Sequence, residues 1–263
     1  MHSLYNQGMT GMILQWLEMT AFRMDVPELF SVFHIIASLL TTLCAWLLSS
    51  LIRRMNRQQI IRIFFLSGIL LLIMEVYKQA FMYFIEEGGH FNWWWFPFQL
   101  CSVPMYLVTA LPFLSSKHQD TVFTFLSTYG LTASAAALIW PQDMLRSYVM
   151  MTGHAFIYHG FLLFFAFVCL RKHLIERSFI PSLILFAACA GIAEVINFIS
   201  HLAGGNADMF YISPFVKTLQ PVFTQLEEIS IPLETCVYLL CISLVSYLIH
   251  RTAVVKKKEI NTI

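Results

Sequence analysis

The chain has 263 residues, of which 58% are hydrophobic and only 12% are charged. This composition, with a mean hydropathy of +0.70, excludes an ordinary soluble domain, because such a fold would expose a largely apolar surface to water. The formal net charge of +1 and the lack of a basic, aromatic-rich stretch argue against nucleic acid as a partner. We therefore predict an all-α, polytopic membrane protein that forms one domain over 1–263.

The N-terminal segment 1–24 lacks the basic region and the cleavage site of a signal peptide. Its apolar residues instead recur at helical spacing, at Met9, Met12, Ile13, Trp16 and Leu17. This pattern predicts an amphipathic helix that lies in the membrane interface.

Seven apolar runs follow, each close to the roughly 20 residues that a helix needs to cross a bilayer. They cover about 30–52, 60–85, 95–115, 119–141, 148–170, 178–203 and 231–250. The connections are short except for 204–230, which contains Pro214, Pro221 and the acidic pair Glu227 and Glu228. We expect this segment to form an outer cap loop on a single bundle of about seven helices.

Lys and Arg are distributed unevenly between the two sides of this bundle. Twelve lie on the side of the C-terminus, whereas the other side has three, Arg23, Arg146 and Lys217. The positive-inside rule predicts a protein of the cell membrane with its N-terminus outside and its C-terminus in the cytoplasm. Three consecutive tryptophans at 93–95 then lie at an outer boundary, where indole rings favour the interface.

The six cysteines all fall within apolar runs, and none forms a CxxC pair. This pattern predicts neither a disulfide framework nor a metal site, and no motif indicates a cofactor. Taken one at a time, the cysteines are expected to be small core residues.

Polar side chains inside the spans are costly and therefore mark candidate functional positions. In chain order they are His34, Glu75, Lys78, Gln99, Cys101, His154, His159, Glu194, Asn197 and Glu234. With a rise of 1.5 Å per residue, Cys101, His154 and Asn197 lie roughly 9 Å below the outer boundary, and Glu75 and Glu194 lie roughly 12 to 17 Å below it. This shared depth predicts one polar cavity that opens to the outer side.

Each of these residues also has a structural explanation. Glu75 and Lys78 can simply pair with each other, and Glu194 can be a protonated, hydrogen-bonded core carboxyl. The two histidines, His154 and His159, are five residues apart, or about 140° around a helix. We therefore expect one of them to be structural and to point away from the cavity.

The segment 96–102, Phe-Pro-Phe-Gln-Leu-Cys-Ser, resembles the LPLHLC signature of the YwaF-like bacterial membrane proteins, which are grouped with the animal TMEM164 proteins. Further segments match the family in the same order along the chain. Glu75 and Lys78 resemble its acidic and basic pair, and the segment 158–160 resembles its later histidine-containing helix. Asn197, together with the segment 205–214, resembles its stretch that contains Asn and Gly. The resemblance spans about 75–215. Gln99 stands where the signature has histidine.

The animal members are described as acyltransferases that act on phospholipids through a cysteine, and are considered related to membrane hydrolases that use threonine and histidine. By position, the resemblance implies that Cys101 is the nucleophile and His159 its histidine. Depth in the membrane favours His154 as the partner of Cys101, and both candidates stay open at this point.

A cysteine beside an imidazole suits acyl transfer, because the imidazole can take the thiol proton and return it to the leaving group. Glu194 or Asn197 would orient the imidazole, and Gln99 or Lys78 would donate to the carbonyl oxygen. Glu75 completes the predicted substrate-binding set. The resulting hypothesis is a lipid acyltransferase or hydrolase whose partners are membrane lipids, either a phospholipid or another acyl donor.

Two other classes of protein fit the same residues. Buried Glu75, Lys78, His159 and Glu194 suit a proton-coupled transporter or a solute-binding membrane protein, although no inverted repeat is evident. A non-catalytic subunit of a larger membrane assembly is the third possibility.

Overall fold

The computed structural model describes residues 11–217 and 223–261, with side chains of the last helix described to residue 256. Every regular element in these ranges is helical. The helices are α1 over 11–18, α2 Val32–Leu51, α3 Arg57–Phe81, α4 Val103–Ala110, α5 Ser116–Phe125, α6 Leu131–Ile139, α7 Val149–Arg171, α8 Ile180–Leu202, α9 Phe223–Ile229 and α10 Ile231–Asn261. A short π-turn at Met82–Glu86 extends α3, and another at Leu126–Gly130 joins α5 to α6. Turns of 3₁₀ helix lie at Trp93–Trp95, Leu111–Phe113 and Met209–Tyr211.

Within the described ranges, six helical stretches are long and apolar enough to cross a membrane: Val32–Leu51, Arg57–Glu86, Ser116–Ile139, Val149–Arg171, Ile180–Leu202 and Ile231–Lys256. Their outward faces expose aliphatic side chains, such as Leu39, Ile73, Ile184, Val195 and Leu240. Lipid rather than water is the solvent that such faces require. The structure therefore confirms the all-α, multi-pass membrane fold.

The third predicted span, 95–115, is not a full-length helix. Its helical part is confined to Val103–Phe113, which at 1.5 Å per residue is about half the thickness of the hydrocarbon core. The preceding residues 96–102 form an irregular turn segment, in which Pro97 lacks the amide hydrogen that a helix requires. An apolar run indicates burial, and irregular backbone at membrane depth is tolerated where protein surrounds it or where it lines a cavity.

The predicted N-terminal amphipathic helix is described in its second half, where residues 11–18 are helical. Met12 and Trp16 are exposed, whereas Leu17 is buried against a small cluster that includes Phe81 and Met151. One residue of the predicted apolar face thus packs on the bundle. Residues 1–10, and with them Met9, lie outside the described residues.

Polar contacts tie several helices together at one end of the bundle. Arg57, at the start of α3, forms an ion pair with Asp120 of α5 at 2.6 Å. Lys172, after α7, donates to the carbonyl oxygen of Arg53 at 2.8 Å, and the His250 ring in α10 contacts the carbonyl oxygen of Glu176 at 2.9 Å. Arg53, Arg57 and Lys172, three of the basic residues predicted to share one side of the membrane, therefore lie at one end of the structure.

Two apolar clusters form the interior. The larger one joins α2, α3, α4, α5 and α7, and includes Phe64, Phe123 and Phe165. The second one joins α8 to the irregular segments 96–102 and 203–217; in it Tyr129 stacks on Phe186 with ring centroids 4.3 Å apart. Burial of these aromatic rings holds the two irregular segments in the bundle.

Candidate functional site

A cavity of about 420 Å³ lies between these two clusters. This volume is in the range typical of small-molecule sites, about 300–1,000 Å³. Six of the eight predicted site residues line it: Glu75, Lys78, Gln99, Cys101, His154 and His159. The structure therefore brings these six residues to one cavity, whereas Glu194 and Asn197 are not part of its wall.

An ion pair on α3 supplies the charge in the cavity wall. The Lys78 ammonium lies 2.8 Å from the Glu75 carboxylate, and the Gln79 side-chain amide donates to the same Glu75 oxygen at 2.8 Å. Glu75 is 6% exposed, so its charge is compensated by donors rather than by water. The ion pair between Glu75 and Lys78 that their spacing predicts is therefore present, and both residues line the cavity.

Cys101 lies in the irregular segment immediately before α4 and is a free, partly buried cysteine. Its carbonyl oxygen accepts a hydrogen bond from the Tyr158 hydroxyl at 3.4 Å. This contact connects the Cys101 turn to the face of α7 that carries the histidines. Within the described residues, no hydrogen bond links the Cys101 thiol to either His154 or His159.

Both histidines of α7 line the cavity, so the expectation that one of them points away is wrong. The α7 residues in the cavity wall lie at positions 151, 154, 155, 158 and 159, which form one helix face about 140° wide. Two histidines 140° apart therefore both fit on that face. His154 Nε2 lies 3.2 Å from the carbonyl oxygen of Met74, and the His154 ring stacks on Tyr158 at 5.9 Å. His159 Nδ1 lies 2.8 Å from the carbonyl oxygen of Ala155.

These contacts assign a tautomer to each neutral imidazole. A carbonyl oxygen accepts only, so His154 carries its proton on Nε2 and His159 carries its proton on Nδ1. The free lone pairs are therefore on Nδ1 of His154 and on Nε2 of His159. Nε2 of His159 is buried and has no hydrogen-bond partner among the described residues, which leaves it available to accept a proton.

Two side-chain amides hold the segment 208–210 in place, and we call this arrangement the amide clamp. Gln99 donates from Nε2 to the carbonyl oxygen of Asp208 at 2.7 Å, and its Oε1 accepts from the Phe210 amide at 2.8 Å. Asn197 donates to the Met209 carbonyl oxygen at 3.2 Å and accepts from the Met209 amide at 2.6 Å. Both amide groups thus bind backbone, which gives Gln99 a structural role beside its place in the cavity wall.

Glu194 lies outside the cavity, on α8. Its carboxylate accepts a hydrogen bond from Asn197 Nδ2 at 3.3 Å, in line with the alternative of a hydrogen-bonded core carboxyl. The structure does not bring Glu194 or Asn197 to an imidazole, so their predicted orienting role has no contact to support it. No described residue of α8 lines the cavity, and depth along a helix does not determine the face on which a residue lies.

His34 and Glu234, the two other polar residues within the predicted spans, do not line the cavity. The His34 ring contacts the Leu138 carbonyl oxygen at 2.9 Å and accepts from the Phe30 amide at 3.0 Å, so it joins α2 to α6. Glu234, in the first turn of α10, is buried but does not line the cavity.

A second polar group lines the cavity near the loop between α6 and α7, and the predicted site omitted it. The Arg146 guanidinium lies over the Trp95 ring, 3.8 Å from its centroid, and Arg146 Nε donates to the Asp143 carbonyl oxygen at 3.2 Å. The Tyr211 hydroxyl donates to the Asp143 carboxylate at 2.7 Å. Arg146 is one of only three cations on the predicted outer side, and that scarcity was the available signal.

Burial determines the electrostatics of this group. It lowers the pKa of the Arg146 guanidinium, an effect that the carboxylates of Asp143, Glu86 and Glu87 oppose. Burial also raises the pKa of Tyr211 well above its usual value, and the Asp143 charge adds to that effect.

Among the described residues, no group of His, Cys, Asp and Glu has the arrangement of a metal site.

Comparisons with known proteins agree with the motif resemblance. The model of the TMEM164 family matches residues 29–248 of the chain. Searches of curated proteins and of solved structures gave no match. Because the family match covers well over half of the chain, from the residues just before α2 into α10, the chain belongs to the TMEM164 family.

Proposed function

We propose that the protein is a membrane enzyme that transfers or hydrolyses lipid acyl groups, with Cys101 as the nucleophile. The observation that carries this proposal is the convergence of Cys101, the two α7 histidines and the Glu75–Lys78 ion pair on one cavity. A nucleophile, a base and a fixed positive charge are the components that acyl transfer requires.

The rest of the cavity wall suits a lipid. It is lined by small and aliphatic side chains from α6 and α10, namely Ala133, Ala136, Ala137, Ile242 and Val245. An acyl chain gains free energy by leaving water for such a surface, at roughly 0.8 kcal/mol per buried CH₂. The polar group then fixes the position of the ester bond while the apolar wall holds the chain.

The reaction begins with transfer of the Cys101 thiol proton to an imidazole. We assign this role to His159, because this residue lines the cavity and its Nε2 has no hydrogen-bond partner among the described residues. The thiolate attacks the ester carbonyl carbon, the new S–C bond forms, and the ester C–O bond breaks. The imidazolium returns the proton to the departing alkoxide, which leaves an acyl-thioester on Cys101.

The second half restores the enzyme. Water or the hydroxyl of an acceptor lipid gives its proton to His159 and attacks the thioester carbonyl. The S–C bond breaks, the thiolate leaves, and the imidazolium proton returns to it. In both halves negative charge develops on the carbonyl oxygen, and we assign its stabilisation to the Lys78 ammonium, which lines the cavity.

The proposed substrate is a membrane lipid, and the proposed location is the cell membrane. The basic end of the bundle would face the cytoplasm, which places the N-terminus and the cavity opening on the outer side. The lipid would then come from the outer leaflet.

Labelling with an activity-based acyl probe tests the proposal. Cys101→Ala should abolish labelling of the purified protein, because the attacking sulfur is lost. Cys241→Ala is the matched control, since Cys241 lines the same cavity on α10, and it should leave labelling unchanged. Unchanged labelling of Cys101→Ala, together with solute flux in proteoliposomes, would instead favour transport.

A further inference from the structure

Arg146 is a partly buried cation without an ion-pair partner. Among the described residues, ion pairs join Arg57 to Asp120 and Lys78 to Glu75, and neither involves Arg146. The nearest acid in sequence, Asp143, presents its carbonyl oxygen to Arg146 Nε, while its carboxylate accepts from the Tyr211 hydroxyl. The carboxylates of Asp143, Glu86 and Glu87 act on Arg146, but among the described residues none of them comes within ion-pair distance of its guanidinium. The guanidinium therefore has no direct carboxylate contact, and its donors can bind a ligand anion in the cavity.

The position of Arg146 is fixed rather than accidental. Its backbone amide donates to Thr152 Oγ1 at 2.9 Å, and the same hydroxyl donates back to the Arg146 carbonyl oxygen at 3.3 Å. These two bonds tie the loop before α7 to the first turns of that helix. The guanidinium then lies over the Trp95 ring, and its two terminal nitrogens have no hydrogen-bond partner among the described residues.

Arg146 and Cys101 line the same cavity, Arg146 from the loop between α6 and α7 and Cys101 from the irregular segment before α4. Trp94, Trp95, Trp140 and Gln142 accompany Arg146 in the wall, a composition typical of the membrane interface. Cys101 contacts Tyr158, which lies nine residues into α7, beyond His154. A phospholipid that enters with its headgroup at the rim presents its phosphate first and its ester bonds more deeply.

We propose that Arg146 is a phosphate-binding residue, and that it receives the phosphodiester of a glycerophospholipid whose ester bonds lie farther inside, towards Cys101. A guanidinium suits this role because its planar donors match the oxygens of a phosphate. The position of the ester bond rests on the proposed function, whereas binding of the phosphate does not require any reaction at Cys101.

Lipid binding by the full-length protein in a phosphate-free detergent tests this inference. The probes are a fluorescent phosphatidylcholine and a diacylglycerol with the same chains and fluorophore but no phosphate. All proteins carry Cys101→Ala, so that binding is measured without turnover. Failure of the acyl chemistry would therefore leave the result for Arg146 interpretable.

The protein that retains Arg146 should bind phosphatidylcholine with roughly 10- to 100-fold higher affinity than diacylglycerol, as expected for charge-assisted hydrogen bonds. Arg146→Gln should remove this preference and leave diacylglycerol binding intact, which also shows that the cavity is folded. Arg146→Lys should retain part of the preference. Arg23→Gln should retain all of it, because Arg23 also lies over an aromatic ring, that of Tyr148, but does not line the cavity.

Three results would overturn the inference. The first is that Arg146→Gln keeps the preference for phosphatidylcholine. The second is that Arg146→Gln and Arg146→Lys both lower the affinity for the two lipids by the same factor. Displacement of phosphatidylcholine by excess inorganic phosphate would show that the ligand is free phosphate rather than a lipid headgroup.

Discussion

Replacing Gln99 with methionine removes one half of the amide clamp while keeping the side-chain length. Gln99 makes two hydrogen bonds to the backbone of the segment 208–210, one to Asp208 and one to Phe210. Both partner residues are 1% exposed, so water cannot replace the lost amide. The change therefore leaves a buried carbonyl and a buried amide without partners.

The expected cost follows from these two bonds. A hydrogen bond between neutral groups contributes about 1 kcal/mol, and a buried group left unsatisfied costs about 1–3 kcal/mol. Gln99→Met should therefore lower the free energy of unfolding by about 2–5 kcal/mol. This is a large part of the roughly 5–15 kcal/mol that stabilises a typical domain.

Two measurements in detergent micelles check this prediction. Hydrogen exchange followed by mass spectrometry should show faster exchange at 208–211, and thermal unfolding should shift to lower temperature. Gln58→Met is the control, because Gln58 is an exposed glutamine of α3. If Gln99→Met exchanges and unfolds like Gln58→Met, the clamp does not hold the segment.

Two further predictions concern packing and pH. A Cβ at Gly68 would lie 2.8 Å from Val108 Cγ2, so Gly68→Ala should lower the free energy of unfolding by about 1–3 kcal/mol. Gly191→Ala is the control and should cost nothing, because a Cβ at Gly191 meets open space. Equal unfolding temperatures of the two variants would contradict this reasoning. Burial raises the pKa of Asp208 from 3.8 to about 7, so the folded state binds this proton more tightly than the unfolded state. The resulting stability is complete below about pH 4 and is lost as pH rises through about 7. Asp208→Asn should flatten the fall in unfolding temperature between about pH 5 and pH 8, and an unchanged slope would refute the assignment.

The membership of the cavity was largely predictable because depth along a helix follows from a constant rise per residue. Glu75, Lys78, His154 and His159 lie at similar depths, and the structure brings them to one cavity. Depth does not determine the direction in which a side chain points. The rotation of α8 depends on its packing partners, which is why Glu194 was misplaced.

The irregular segment and the loop residues were harder to predict. Apolar composition indicates burial of 96–102 but does not distinguish a helix from turns whose polar groups are bound by neighbouring side chains. The contact between Gln99 and 208–210 joins residues more than a hundred positions apart, and no local pattern reports it. Arg146 lies in a loop, where no periodicity assigns a direction to a side chain.

The most direct test of the central claim is the intact mass of the protein after brief incubation with a phospholipid of defined acyl chains. The account predicts a mass increase of one acyl group, lost on treatment with hydroxylamine and located by peptide mapping at Cys101. His159→Ala should slow formation of this adduct, and Cys101→Ala should prevent it. An adduct on another residue, or one that persists in Cys101→Ala, would contradict the assignment of Cys101 as the nucleophile.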